Sequence, residues 1–249
     1  MKEIHAWVPW FQELAQKIAD GGKAYLIEKA KEVAWVNLNP ALLNDGDENI
    51  DPFSFVYCLA QKNTKNQRRV VFPSAHEAFR ISSELPDMDD EQQWIFPTPS
   101  ANTAALFHDR KHFEPEKLWR AFRKAVQPSP QFDENELQEV LAINQVGVAK
   151  LTQSLFLINP YCFLTVDNVS LDLLQKLQEQ PKDQIKKSIK REGWSFYQTV
   201  IQNYKNEFPS LECYEINLKM YQDQYAKNEY WLVGAHWNDI DMSEQFIEK

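Results

Sequence analysis

The residues around Gly147 have the types and spacing that could hold a nucleic-acid phosphate. A tight turn at Val146 and Gly147 separates two apolar segments that are each long enough for a helix. Glycine allows close approach to the backbone, and the first N–H groups of the next helix lie unbonded at the positive end of its dipole. A helix start of this kind favours anions. The pattern predicts a helix–hairpin–helix element whose phosphate contacts come from Gly147, Val148, Lys150 and Thr152.

A basic helix is predicted further along in the same half of the chain. Residues 182–191 carry five cations and one acid. Cations that neutralise DNA phosphates add affinity and salt dependence but read no base sequence. We expect the phosphate-binding surface to be extended by Lys186, Lys187, Lys190 and Arg191. A solvated surface is the simpler explanation for this cluster, and for a second one in a predicted polar loop, formed by Lys62, Lys65, Arg68 and Arg69.

Other chemistry has little support in the sequence. The three cysteines are too few and too scattered for a disulfide framework or a four-cysteine zinc site, so we expect reduced, buried thiols at Cys58, Cys162 and Cys213. His108 and His112 have the spacing of a metal-binding pair, but the two basic residues between them would repel a cation. Motifs for an NTPase, a dinucleotide or a serine hydrolase do not occur. We therefore expect no enzyme activity, no metal and no cofactor.

Aromatic side chains gather around a proline-rich turn, at Trp94, Phe96, Phe107 and Phe113. We expect these four residues in the hydrophobic core. The alternative is an aromatic pocket that stacks a base flipped out of modified DNA.

Length and charge limit the class of protein. The chain has 249 residues, of which 13% are aromatic, enough for one large or two modest domains with real cores. A net charge of −9 argues against a surface devoted wholly to DNA or to an anionic membrane. Screening over about 10 Å still permits a local basic patch. The sequence has neither a signal-peptide pattern nor an apolar run of membrane-spanning length, so we expect a cytoplasmic protein without membrane contact.

The predicted fold class is mainly α, with two helical lobes. Thirteen prolines against six glycines indicate helices separated by proline-marked turns. The linker Gln127–Gln131 divides a first lobe, residues 1–127, from a second lobe, residues 130–228, which contains the helix–hairpin–helix element. Residues 229–249 begin with EYWLVGAHW, which is typical of a β-strand. A lone strand is not stable, so we expect this segment to be the start of a following β module that has been cut short.

Local signals predict several helix ends in the first lobe. Gly21-Gly22 is expected to end the first helix, and Asp51-Pro52 combines an N-cap with a proline in the first turn. Ser74 and Glu77 have the spacing of a capping box, which predicts a short helix from Ser74. A longer helix is predicted over residues 115–126, with one basic face formed by Lys117, Arg120, Arg123 and Lys124.

Ordinary helix packing explains a short glycine-containing turn as well as phosphate binding does. The segment after the hairpin helps to distinguish these two interpretations. Pro160 and an apolar run that ends at Asp167 follow the hairpin, 20 residues after Gly147 (167 − 147 = 20). Over about Val140–Leu174 this order resembles the helix-hairpin-helix core of DNA base-excision glycosylases. The resemblance implies a catalytic role for Asp167, whereas Asp-Asn-Val-Ser before a helix is also a good N-cap.

The hairpin departs from that family at two positions. Gln145 stands where the first hairpin glycine is expected, and Ala149 stands where bifunctional members carry their Schiff-base lysine. Lys150 is one residue further along, and one residue rotates a helical side chain by about 100°. Lys150 should therefore not inherit that catalytic function.

Four longer segments carry a resemblance that spans nearly the whole chain. They are WVPWFQELAQKIA at Trp7–Ala19, DENIDPFSFVYCLAQKN at Asp47–Asn63, WIFPTPSAN at Trp94–Asn102 and GVAKLTQSLFLINPYCFLTVDN at Gly147–Asn168. Together they resemble the N-terminal region of large bacterial AAA ATPases related to the McrB-like modification-dependent restriction proteins. In such proteins EYWLVGAHW would begin a small β domain ahead of the motor.

This resemblance implies a DNA-recognition region of a restriction or anti-phage defence system. The implied partners are double-stranded DNA, plain or modified, and the motor and nuclease subunits or domains of the same system. A glycosylase-like enzyme with Asp167 catalytic, or a protein-docking scaffold for the motor subunit, are the alternatives.

Overall fold

The structure is a computed structural model that describes residues 5–36, 42, 50–97, 107, 115–133, 135–228, 236–237 and 240–241. Helices dominate it, which confirms the predicted mainly α fold class. The helices of the described residues are α1 (Trp7–Glu32), α2 (Pro52–Ala60), α3 (Lys65–Ala78), α4 (Pro115–Ala125), α5 (Glu136–Leu141), α6 (Val148–Ile158), α7 (Leu171–Gln178), α8 (Lys182–Glu192), α9 (Trp194–Glu207) and α10 (Cys213–Asn228), with a 3-10 helix at Glu91–Trp94.

Two short strands follow α10. β1 (His236–Trp237) pairs antiparallel with β2 (Ile240–Asp241), with His236 opposite Asp241 and Trp237 opposite Ile240. Most of residues 229–249 lie outside the described residues, so the expected β module stays a prediction.

α1 is kinked where Gly22 leaves helical geometry. Gly22 has φ 71° and ψ −166°, a backbone conformation that other residues rarely adopt. The apolar residues Trp10, Phe11 and Leu14 before the kink are buried, as the helical spacing predicts. The predicted helix end at Gly21-Gly22 is thus a kink between two helical segments.

α2 begins at the predicted N-cap. Asp51 accepts a hydrogen bond from the backbone N–H of Ser54 at 2.8 Å, and Pro52 occupies the first helical turn. The hydroxyl of Ser54 also donates to the Asp51 carboxylate and accepts from the backbone N–H of Phe107 at 2.7 Å. Every residue of α2 is buried, because other elements surround this helix.

α3 corrects two predictions. The cations Lys65, Arg68 and Arg69 lie on a helix and not in a polar loop, and no helix begins at Ser74. The helix continues through Pro73 because Val71 and Phe72 are buried in the core, which outweighs the local preference for a break. The hydroxyl of Ser74 accepts a hydrogen bond from the backbone N–H of Ala34 instead of capping a helix.

The two halves of the chain share one hydrophobic core. α6, from the second half, packs against α1, α2 and α4 of the first, and the rings of Trp7 and Phe156 lie 5.7 Å apart. The buried Asn159 amide donates to the carbonyl oxygens of Ala125 and Gln127 at 3.0 and 2.8 Å. Residues 1–127 and 130–228 are therefore packed directly together on either side of the linker.

No helix among the described residues is both long enough and apolar enough to cross a membrane.

Candidate nucleic-acid interface

The predicted hairpin is present between α5 and α6. The backbone N–H of Val146 donates to Ile143 at 3.1 Å, and α6 begins at Val148 with Gly147 as its N-cap. Because the N-cap residue is glycine, it has no side chain that could cap this helix start. A Cβ atom added at Gly147 would meet nothing within 4 Å. The backbone before α6 is therefore open to close approach, as an anion site at a helix start requires.

Gln145 has an unusual backbone conformation at the tip of this hairpin. Its φ is 72°, in the left-handed region that costs a non-glycine residue about 1–2 kcal/mol. The Gln145 side chain is exposed, whereas Val146 beside it is buried. The turn thus adopts a glycine-like backbone conformation at a residue that is not glycine.

Lys150 lies inside the protein, which does not fit the predicted phosphate contact. Only 4% of the residue is exposed, and its Nζ lies 4.7 Å from the ring centre of Phe107 and 5.6 Å from that of Tyr57. Burial lowers the pKa of Lys150 to about 8, while the Asp51 carboxylate opposes this shift. Its side chain is enclosed where α6 packs against α2, which spacing along α6 alone does not reveal.

Thr152 is also buried and has a structural function instead of the predicted contact with phosphate. Its hydroxyl donates to the carbonyl oxygen of Val148 at 2.9 Å and accepts from the backbone N–H of Val166 at 2.9 Å. Thr152 is 1% exposed, so it joins α6 to the apolar run before α7. Of the four predicted hairpin contacts, only the backbone at Gly147 and Val148 remains in a suitable position.

Asp167 caps α7. One carboxylate oxygen accepts from the backbone N–H groups of Val169 and Ser170, both at 3.1 Å. The other accepts from the Gln153 amide at 3.0 Å and from the Tyr221 hydroxyl at 2.8 Å. Four donors therefore hold a carboxylate that is 6% exposed, which supports the N-cap interpretation and ties α6, α7 and α10 together.

α8 presents a basic face. Ile185 and Ile189 are buried, while Lys187, Lys190 and Arg191 are exposed. Lys186 is half-buried. The amphipathic spacing of α8 therefore directs its cations away from the core.

The central cations of α8 have no acidic partner among the described residues. Lys182 at the start of the helix pairs with Asp172, and Arg191 at its end pairs with Glu192. The three lysines in between are Lys186, Lys187 and Lys190. No carboxylate of the described residues lies within ion-pair distance of them.

α8 packs against α5 and α6, the two helices of the hairpin. The corner between α8 and α9 lies against α5. Gly193 at this corner has φ 60°, and a Cβ atom there would overlap the Gln138 side chain of α5. The Gln138 amide lies 3.5 Å from the carbonyl oxygen of Arg191. Gly193 was missed in the sequence analysis, although an isolated glycine between two helical patterns is a signal for such a corner.

The cations of α3 are, by contrast, matched by acids. Arg68 is 2% exposed and donates to Glu91 at 2.5 Å and to the backbone carbonyl of Asn63 at 2.9 Å. Lys65 and Arg69 both pair with Asp89. This cluster holds the segment after α3 in place and offers few unpaired charges to a ligand.

The predicted basic face of α4 is also partly neutralised. Arg120 pairs with Glu136 at 3.0 Å and with Glu139 at 2.6 Å. Lys124 pairs with Asp133 at 2.8 Å and with Glu136 at 2.7 Å. These acids lie on α5 or just before it, so the charges of α4 stabilise the packing of α4 against α5.

The three described aromatic residues of the alternative pocket are buried in the core. Trp94, Phe96 and Phe107 are at most 6% exposed and pack in the core, which confirms the expectation that these residues are buried. Phe113, His108 and His112 lie outside the described residues. Cys58 and Cys213 are buried free thiols and Cys162 is half-buried, and no group of potential metal ligands occurs among the residues that the structure describes.

The sequence was matched by a protein-family model. A family model described as a domain of unknown function (DUF8425) matches residues 7–223. No curated protein and no solved structure matches the chain.

Proposed function

The chain belongs to the DUF8425 family of domains of unknown function, and we propose that it is the DNA-recognition region of a bacterial restriction or anti-phage defence ATPase. In this proposal the chain has no catalytic activity of its own and acts in the cytoplasm. Its partners are double-stranded DNA, plain or modified, and the motor and nuclease subunits or domains of the same system.

The observation that carries this proposal is the contrast between α8 and the rest of the charged surface. The chain has a net charge of −9, and the cations of α3 and much of α4 are paired with acids. Lys186, Lys187 and Lys190 project from a helix that packs on the hairpin and have no acidic partner among the described residues. A cluster of unneutralised cations is the electrostatic requirement for binding phosphate.

The hairpin adds a second phosphate contact of a different kind. Backbone N–H groups at Gly147 and Val148 lie at the start of α6, and the N-cap residue Gly147 has no side chain of its own to bond them. The left-handed backbone of Gln145 supports the resemblance to helix-hairpin-helix DNA-binding elements. The proposed surface is therefore the backbone of Gly147 and Val148 together with the side chains of Lys186, Lys187 and Lys190. Arg191, which is paired with Glu192, lies at the end of this surface and would have to give up that pair to bind phosphate.

Fluorescence anisotropy with short duplexes, plain and cytosine-modified, at two salt concentrations tests this proposal. We expect salt-sensitive binding that prefers modified duplex and that weakens when Lys186, Lys187 and Lys190 are changed together to glutamate. Unchanged affinity and salt dependence in this variant would contradict the proposal.

Two other results would replace the proposal. Absence of DNA binding at both salt concentrations, with capture of the purified motor subunit, would make the chain a docking scaffold. Release of a base from damaged or modified duplex, abolished by Asp167→Asn without loss of DNA binding, would make it a glycosylase.

A further inference from the structure

A groove between the linker and α9 is separate from the hairpin, and we propose that it binds a single nucleotide, a planar base that carries one phosphate. The groove has a volume of about 380 Å³. Its lining includes both linker prolines and one face of α9, namely Pro128, Pro130, Trp194, Gln198, Gln202 and Lys205. The proposal does not depend on DNA binding by the hairpin and α8.

The charge of the groove favours an anion. Lys205 is the one charged side chain of the described lining, and it forms no ion pair with a described residue. A second groove of similar size, about 410 Å³, is lined by Glu84 and Asp87 and by no cation among the described residues. A phosphate would therefore be attracted to the groove on α9 and repelled from the second one.

The same face of α9 can contact the edge of a base. Gln198 and Gln202 lie one helical turn apart, and an amide carries the adjacent donor and acceptor that a base edge requires. Gln198 is exposed and has no hydrogen-bond partner among the described residues, while Gln202 donates only to Asn206, at 2.9 Å. Lys205 follows Gln198 by seven residues, about 10 Å along the helix axis, so base and phosphate can be contacted from one face.

The apolar part of the groove suits a flat ring. Trp194 contributes an aromatic surface, and Pro128 and Pro130 add apolar surface from the linker. The indole N–H of Trp194 is buried and has no acceptor among the described residues.

Isothermal titration calorimetry with the full chain tests this inference. The ligands are the four ribonucleoside monophosphates, and the comparison ligands are adenosine, inorganic phosphate and benzoate. We expect at least one monophosphate to bind about tenfold more tightly than adenosine or phosphate alone, because base and phosphate are both recognised. Absence of monophosphate binding at millimolar concentration, or equally tight binding of benzoate, would overturn the inference.

Single substitutions locate the site. Lys205→Ala and Gln198→Ala should each weaken monophosphate binding about tenfold, because each removes one polar contact. Lys176→Ala and Gln175→Ala change exposed residues of the same types on α7, and they should leave the affinity unchanged. Equal losses in all four variants would place the binding elsewhere and overturn the assignment.

The nucleotide could be free in solution or an unpaired residue of a strand, and competition distinguishes these two sources. A short single-stranded oligonucleotide that displaces the monophosphate from wild type, and binds Lys205→Ala more weakly, identifies a strand as the source. Failure to displace it identifies a free nucleotide. Changing Lys187 and Lys190 to glutamate tests the proposed DNA surface alone, so the two proposals can fail independently.

Discussion

The two basic helices α3 and α8 differ in what their cations contact. On α3 the charges of Lys65, Arg68 and Arg69 are matched by acids of the segment that follows the helix. On α8 the charges of Lys186, Lys187 and Lys190 have no such partner among the described residues. A cation already paired with a carboxylate must give up that pair before it can bind phosphate. Pairing with acids, and not the number of cations, therefore distinguishes a structural cluster from a candidate binding surface.

The largest expected effect comes from reversing the charge of lysines on α8, which have no acidic partner among the described residues. The double substitution Lys187→Glu and Lys190→Glu should lower DNA affinity about 100-fold at low salt, roughly 3 kcal/mol, and reduce the salt slope by about 2. The cause is the loss of two phosphate contacts. Fluorescence anisotropy over a salt series measures both quantities.

The matched control exchanges two exposed, paired cations. Lys65→Glu with Arg69→Glu changes the same number of charges on α3, where the side chains are 46% and 49% exposed. We expect only a small, salt-screened change in DNA affinity. Equal losses from both double variants would remove the distinction between the helices.

The next largest expected effect is on stability and comes from a substitution on α3, whose cations are paired with acids. Arg68→Ala should lower the free energy of unfolding by about 2 kcal/mol, because the buried Arg68 side chain loses its part-buried hydrogen bonds to Asn63 and Glu91. Urea denaturation measures this change. Arg69→Ala on the exposed side should cost less than about 0.5 kcal/mol. A similar cost for both would mean that the buried pair contributes little.

The buried Lys150 gives a third prediction, which contrasts an enclosed lysine with the exposed lysines of α8. Its pKa is lowered by burial from 10.5 to about 8, so between these pH values the unfolded chain holds a proton that the folded protein has released. Stability should therefore rise with pH across this window. Lys150→Met should remove this rise and stabilise the protein at neutral pH by about 1–2 kcal/mol.

Denaturation curves at several pH values measure the difference between wild type and Lys150→Met. Lys187→Met, at an exposed position, is the control and should keep the wild-type pH profile. Parallel profiles for wild type and Lys150→Met would show that Lys150 is not enclosed as described.

The smallest predicted effect concerns Glu13 of α1, a charged residue that stabilises the fold by accepting hydrogen bonds from Ser82 and Ser83. Burial opposes its ionisation, but hydrogen bonds from Ser82, Ser83 and Lys17 outweigh burial and lower its pKa from 4.5 to about 2. A lowered pKa in the folded state stabilises the protein above about pH 4.5, and this stability is lost as the pH falls towards 2.

Glu13→Gln should therefore cost about 1 kcal/mol at pH 7 and progressively less below pH 4.5. Chemical denaturation at neutral and acidic pH measures the two values, and Glu84→Gln at an exposed position is the control. A cost that does not depend on pH would mean that the carboxylate charge of Glu13 is unimportant.

The candidate site was only partly predictable from the sequence. The hairpin, the start of α6 at Val148 and the outward basic face of α8 follow from glycine position and helical spacing. Lys150 and Thr152 were predicted to contact phosphate and are buried instead. Their tertiary neighbours cause this burial. Lys150 lies against the rings of Phe107 and Tyr57, and the Thr152 hydroxyl accepts a hydrogen bond from the backbone N–H of Val166.

The sequence by itself determined the features that depend on neighbours within a few residues. The mainly α fold class, the Asp51 cap of α2 and the interruption of helical geometry at Gly22 belong to this group, because caps and backbone conformation are local interactions. The tertiary structure alone decided which charges are paired and which side chains are buried. Arg68 meets Glu91 across 23 residues and Gln138 approaches Arg191 across 53, and the packing of separate helices sets such contacts.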